Sequence, residues 1–148
     1  MKRWLVFITV FICLSGCGNK IEMSQLGVVA GLGIDQIEGG YRLTVQVVNP
    51  SYVAGKQPET LPVFSISSEG ETLFDAYHEL NSLTNKVLYL PHLSVIVIDE
   101  ATAKEGINTV LDFVLRNVMI RPNITLTVAN NATAQDVLHI LTPTEQIA

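Results

Sequence analysis

Residues 26–48 read LGVVAGLGIDQIEGGYRLTVQVV, and their pattern decides the fold class. In the second half Tyr41, Leu43, Val45 and Val47 alternate with Arg42, Thr44 and Gln46, the period of a strand with one buried face. Glu38-Gly39-Gly40 just before it is a tight-turn signal. In the first half Leu26, Val28, Ala30, Leu32 and Ile34 fall on one side of a strand. Gly27, Gly31 and Gly33 fall on the other, which marks a bulge or the close approach of another element. The two halves are expected to pair as an antiparallel hairpin.

Downstream, Asn49-Pro50 ends the hairpin, and residues 51–62, with Gly55, Pro58 and Pro62, form a loop. Residues 63–66 are expected to be a short strand. Ser68 and Glu71 have capping-box spacing before a helix that places Leu73, Phe74, Tyr77 and Leu80 on one face. Two apolar runs, 87–90 and 93–98, are separated by Pro91; the second is Val/Ile-rich and reads as a central strand. Asp99 can cap a helix over 100–116, with Ile107, Val110, Leu111, Val114 and Leu115 as its buried stripe. Past Pro122 come a strand at 124–128 and a last helix at 134–141, capped by Thr133 and stopped with the help of Pro143. The expected fold is α+β: a mixed β-sheet with an N-terminal hairpin and about three helices packed on it.

Upstream, Lys2 and Arg3 precede an unbroken apolar run at 4–14, then the small residues Ser15 and Gly16, then Cys17. These are the parts of a secretory signal. A spanning helix needs roughly 20 apolar residues, so the run is too short to be a stable anchor. Leu14-Ser15-Gly16-Cys17 resembles the bacterial lipobox. There the cysteine thiol, a soft nucleophile, takes diacylglycerol, and cleavage makes it the new N-terminus. The expected organisation is a signal at 1–16, a lipid-anchored tether at 17–24 and one domain at 25–148. Two acyl chains at about 0.8 kcal/mol per buried CH₂ hold a protein on a membrane where one chain does not. A seven-residue tether, 18–24, spans at most about 25 Å and keeps the domain near the bilayer.

With the signal removed, 132 of the 148 residues remain, enough for one domain with its own core. Seven basic residues then face fourteen acidic ones, a net charge of −7. An acidic chain without a Lys/Arg cluster is a poor match for nucleic-acid phosphates or anionic headgroups, so membrane attachment rests on the lipid. Cys13 leaves with the signal and Cys17 carries the lipid, so the mature domain has neither a free thiol nor a disulfide.

The chain carries little chemistry. Gly31-Leu32-Gly33 lacks the third glycine of a dinucleotide loop and runs into a hairpin, not a helix. His78-Glu79 has Ser82, not histidine, three residues on, and His78, His92 and His139 lack metal-ligand spacing. Asp35 reads as a turn or salt-bridge residue. No catalytic residue, cofactor site or metal site is expected; Cys17, as the lipid attachment point, is the one functional residue assigned.

Four segments, in order, resemble the spore germination lipoprotein family Ger(x)C, the C-subunit of nutrient germinant receptors. They are residues 31–35 with 40–50, residues 92–98, residues 112–116 with Ile120-Arg121, and residues 125–129 leading through 134–138. Asp99 and Asn130 stand where glycine is usual, and Asn117-Val118-Met119 replaces a more acidic stretch. Members of this family are more than twice as long, with three domains, so the chain corresponds to a fragment, a truncated product or a short paralogue of the first. The resemblance implies a non-enzymatic receptor subunit on the outer surface of the spore inner membrane. Its partners would be an integral A-subunit and a transporter-like B-subunit, and its triggers amino acids or sugars. The rival expectations are a lipid-anchored solute-binding module, a lipid-anchored hydrolase and a structural envelope lipoprotein.

Overall fold

The computed structural model describes residues 25–49, 63–121 and 123–140. Six strands form one mixed sheet: β1 (Leu26–Ile37), β2 (Gly40–Val48), β3 (Val63–Gly70), β4 (Val87–Tyr89), β5 (Val95–Ile98) and β6 (Thr125–Val128). The described helices are α1 (Leu73–Ser82), α2 (Glu100–Glu105), α3 (Asn108–Arg116) and α4 (Ala134–Ile140), with a 3-10 turn at Leu90–His92. The sheet order is β3-β2-β1-β5-β6, with β4 also paired to β1. The fold is α+β, as the alternating and helical periods lead one to expect.

The hairpin forms as expected, with Ile37 opposite Gly40 and Gly39 at φ +83°, a conformation glycine adopts without steric cost. Its first strand is not a single register. Val29 pairs with Val47 but Gly31 pairs with Gln46, so Ala30 is an extra, bulged residue. A one-residue slip moves every later side chain to the opposite face. Val29, Leu32 and Ile34 therefore share the main core, while Leu26, Val28 and Ala30 do not continue the face of Leu32 and Ile34. The Ala30 carbonyl is used at the bulge: it accepts from the Ser94 backbone N–H and hydroxyl, each at 3.0 Å.

On its other edge β1 pairs in parallel with β4 and then with β5. The 3-10 turn containing Pro91 lies between these two short strands. Parallel partners need crossover connections, and α1 and the α2–α3 pair supply them. Both α1 and α3 pack on one face, over Leu32, Leu43, Val45 and Ile96. Phe113 of α3, 1% exposed, makes edge-on contacts with the rings of Phe74 and Tyr77, at centroid distances of 5.2 and 5.8 Å. The opposite face is covered by α4, through Ala134 and Leu138 against Val97 and Ala129. A Cβ added to Gly31 would meet the Leu138 side chain at 2.8 Å, and one on Gly33 would meet it at 2.9 Å. These glycines let α4 lie directly on β1.

Three helix expectations are corrected. The first helix is capped by Thr72, not Ser68: Thr72 Oγ1 accepts from Asp75 N at 3.1 Å, and Asp75 Oδ2 accepts from Thr72 N at 3.2 Å. Ser68 stays in β3 because β3 continues to pair with β2 as far as Gly70. The helix expected over 100–116 is two helices, divided at Gly106, whose φ is +114°. Asp99 does cap the first of them, its Oδ1 accepting from Thr102 N at 2.9 Å. Lastly, α3 buries Val110 and Phe113, not the whole expected stripe; Ile107, Leu111 and Leu115 are exposed. The final helix is capped by Thr133 as expected, its Oγ1 accepting from Asp136 N at 3.0 Å.

Candidate functional site

Cys17 and the expected signal and tether lie outside the described residues. The remaining residues weighed for chemistry are not brought together. His78 lies on α1 and His139 on α4, on opposite faces of the sheet. His92 stands in the 3-10 turn, its ring 5.6 Å from that of Tyr89. Among the described residues no group of three His, Cys, Asp or Glu side chains could hold a metal ion. No described helix is long and apolar enough to cross a membrane.

Asp35 has a definite task that its sequence neighbourhood does not disclose. It lies near the end of β1 and is 2% exposed. Its Oδ1 accepts from Ala134 N and its Oδ2 from Gln135 N at 3.1 Å, so a strand carboxylate caps a helix 99 residues away. Burial pushes the Asp35 carboxyl above its usual range, the two amide donors oppose that rise, Asp99 adds to it and Arg42 opposes it. Nearby carboxylates are committed in the same manner. Asp99 Oδ2 accepts from Gln36 N at 3.1 Å, and Glu100 Oε1 accepts from Asn131 N at 3.0 Å. The Lys104 ammonium, then the Asn131 N–H, hold the Glu100 carboxyl below its usual range. These groups knit the carboxyl ends of β1, β5 and β6 to α2 and α4, which is structural work.

The feature that departs from a sealed domain is apolar. Leu126 is paired in register with Ile96, and Val128 with Ile98, so both point to the sheet face that α3 covers. Yet Leu126 is 38% and Val128 48% exposed. On α3, Leu111 and, one turn further on, Leu115 are also exposed. An open depression of about 100 Å³ lies between helix and strand, lined by Ile96, Val110, Leu111, Val114, Ile124 and Leu126. Scattered exposed leucines are ordinary, but a contiguous apolar patch marks a contact surface. The sequence carries the signal in a form easily misread. Helix α3 has two apolar stripes, one with Val110 and Phe113 and one with Ile107, Leu111 and Leu115, and a helix apolar on more than one side needs more than one neighbour.

Residues 19–148 match the family described as spore germination protein N-terminal domain. The chain is 33% identical to spore germination protein KC of Bacillus subtilis (strain 168) over 150 residues, covering 97% of this chain and 37% of that protein. It is 23% identical to the putative spore germination protein YfkR of the same organism, covering 94% of the chain and 38% of the relative. Spore germination protein GerQC of Bacillus cereus is 26% identical, over 88% of the chain and 35% of the relative. The chain thus spans little more than a third of the length of these relatives. No solved structure matches it. A match that runs from the expected tether to Ala148, over the described sheet and the described helices, places the chain in the spore germination protein N-terminal domain family, Ger(x)C.

Proposed function

We propose that this chain acts in spore germination as the lipoprotein subunit of a nutrient germinant receptor. Membership of the Ger(x)C family over residues 19–148 is the observation that carries the reading. Its relatives are named as spore germination proteins. The lipobox at Leu14-Ser15-Gly16-Cys17 supports attachment by diacylglycerol on Cys17, at the outer surface of the spore inner membrane. The integral A- and B-subunits are the partners this reading assigns.

The subunit works without catalysis of its own. Among the described residues the one buried carboxylate, Asp35, is spent on two backbone N–H groups, and the histidines lie apart. What the domain offers a partner is surface. The test is deletion of the gene. Germination triggered by one class of nutrient should be lost, while germination by agents that bypass nutrient receptors stays intact. Normal nutrient germination in the deletion strain, unchanged by adding back the gene, counts against the reading. Mass spectrometry of the wild-type protein should find diacylglycerol on Cys17, and none after Cys17→Ala; an unmodified Cys17 in the mature wild type removes the anchor from the proposal.

A further inference from the structure

We propose that the α3–β6 face is an intramolecular seat, covered by polypeptide that lies beyond the matched region in the longer members of this family. The inference rests on family membership and not on the receptor reading.

The occupant is indicated by three observations. First, the face is apolar and open. Leu111 and Leu126 line one depression at 42% and 38% exposure, Val128 on the same side of β6 is 48% exposed, and Leu115, one turn along α3 from Leu111, is 76% exposed. Contiguous apolar surface of this kind marks a place where something binds. Second, β6 is an edge strand among the described residues, and it is undefended. Thr125 N and Ala129 N donate to Ser94 O and Ile98 O, so in a parallel ladder the alternate amides of Leu126 and Val128 point outward. The strand Thr125-Leu126-Thr127-Val128 has no lysine, proline or bulge, the usual devices that stop an open edge from pairing with another molecule. An edge covered at all times requires no such device; one that meets a partner only at intervals does. Third, the three relatives match this chain over only 37%, 38% and 35% of their lengths, and the matched family is an N-terminal domain. In each of them most of the polypeptide lies outside the match and is tethered to this domain. A tethered segment acts at high effective concentration and covers such a face without an encounter step.

Thiol labelling tests the proposal. Cys13 and Cys17 are the chain's two cysteines, so Cys13→Ser/Cys17→Ser gives a background without thiols. Leu115→Cys on α3 and, separately, Leu126→Cys on β6 report on the face; Glu79→Cys, exposed on α1, is the control. Each is placed in the 148-residue chain and in a hybrid. The hybrid carries this chain in place of the matching region of the Bacillus subtilis spore germination protein KC, itself with its cysteines replaced by serine. Maleimide should modify both reporters readily in the short chain and about tenfold or more slowly in the hybrid, while Glu79→Cys reacts alike in both. Equal reporter rates in the two proteins overturn the proposal. Slow labelling of the short chain that speeds up on dilution also overturns it, in favour of a second copy as occupant. Protection that appears only when membrane fractions holding other subunits are added overturns it in favour of a separate partner.

Discussion

The two flanks of the sheet end in different ways. At one flank β3 is eight residues long, and its inner side chains Phe64 and Ile66 pack against the main core that α1 helps to close. Its other face is polar and paired: Arg42 bonds to Glu69 Oε1 at 2.7 Å, and the Thr44 and Ser67 hydroxyls lie 2.9 Å apart. At the opposite flank β6 has four residues, all exposed, with apolar side chains on the helix-facing side. One helix, α1, presents Leu73, Ala76 and Leu80 inward and largely polar residues outward; α3 presents apolar residues both ways. The first flank is complete with the described residues, whereas the second has a surface that calls for a neighbour. Burial, not apolar character, separates the residues that hold this domain together from those available to something else.

That contrast can be broken most decisively at Phe113. Phe113→Ala removes a ring that is fully enclosed and touches Phe74 and Tyr77, and should cost about 3–5 kcal/mol in denaturant melts of the 148-residue chain. An effect below about 1 kcal/mol would mean that the inner stripe of α3 has been assigned to the wrong side.

A smaller loss is expected beneath α4. Gly33→Ala puts a methyl against Leu138 and 3.3 Å from the backbone of Ala134, so either the side chain or the helix must give way. Overpacking of this kind costs about 1–3 kcal/mol. Hydrogen exchange should show the added opening concentrated in residues 134–140, with the hairpin amides little changed. Uniform loss of protection would show that α4 and the sheet open as one unit.

The pH dependence follows from Asp35. Because burial raises its folded-state value above 3.8, ionisation is harder in the fold than in the unfolded chain. Its contribution is therefore fully present below the unfolded value and is lost as pH rises through the folded value. Stability of the wild type relative to Asp35→Asn should fall as pH rises from just below 3.8 into the region above it. A relative stability that instead rises over that interval would mean the Ala134 and Gln135 donors outweigh burial.

The smallest effect is expected on the open flank. Leu115→Asp places a charge on a side chain already 76% exposed and should change the stability of the short chain by no more than about 0.5 kcal/mol. A loss comparable to that of Phe113→Ala would erase the distinction between the two stripes.

The hairpin was legible because strict alternation over 41–48 and a glycine turn leave few alternatives. The bulge at Ala30 was not, since one extra residue leaves both the composition and the apparent period intact. On α3 the spacing of Ile107, Leu111 and Leu115 satisfies helical periodicity as well as the buried pair Val110 and Phe113 does. Only the position of Phe74 and Tyr77 on α1, beside α3 on the same face of the sheet, decides between them. The role of Asp35 escapes any local reading because its partners lie 99 and 100 residues along the chain. The open face was legible as an apolar helix, but its openness was not, since exposure depends on what is absent around it.

The glycine-lined seat under α4 has a consequence for how the chain acquires its shape. The β1–β2 hairpin involves neighbouring residues and can close within microseconds. The other edge of β1 waits for Ser94, whose N–H bonds to Ala30 across 64 residues, and Asp35 waits for Ala134 and Gln135. Closing long loops before contacts reward them slows folding. For a chain delivered N-terminus first, nearly the whole domain must emerge before Gly31 and Gly33 are covered. Until then the first strand to appear offers a bare, flat face to any other extended chain close by, so this step depends most on rapid delivery or on a protective escort.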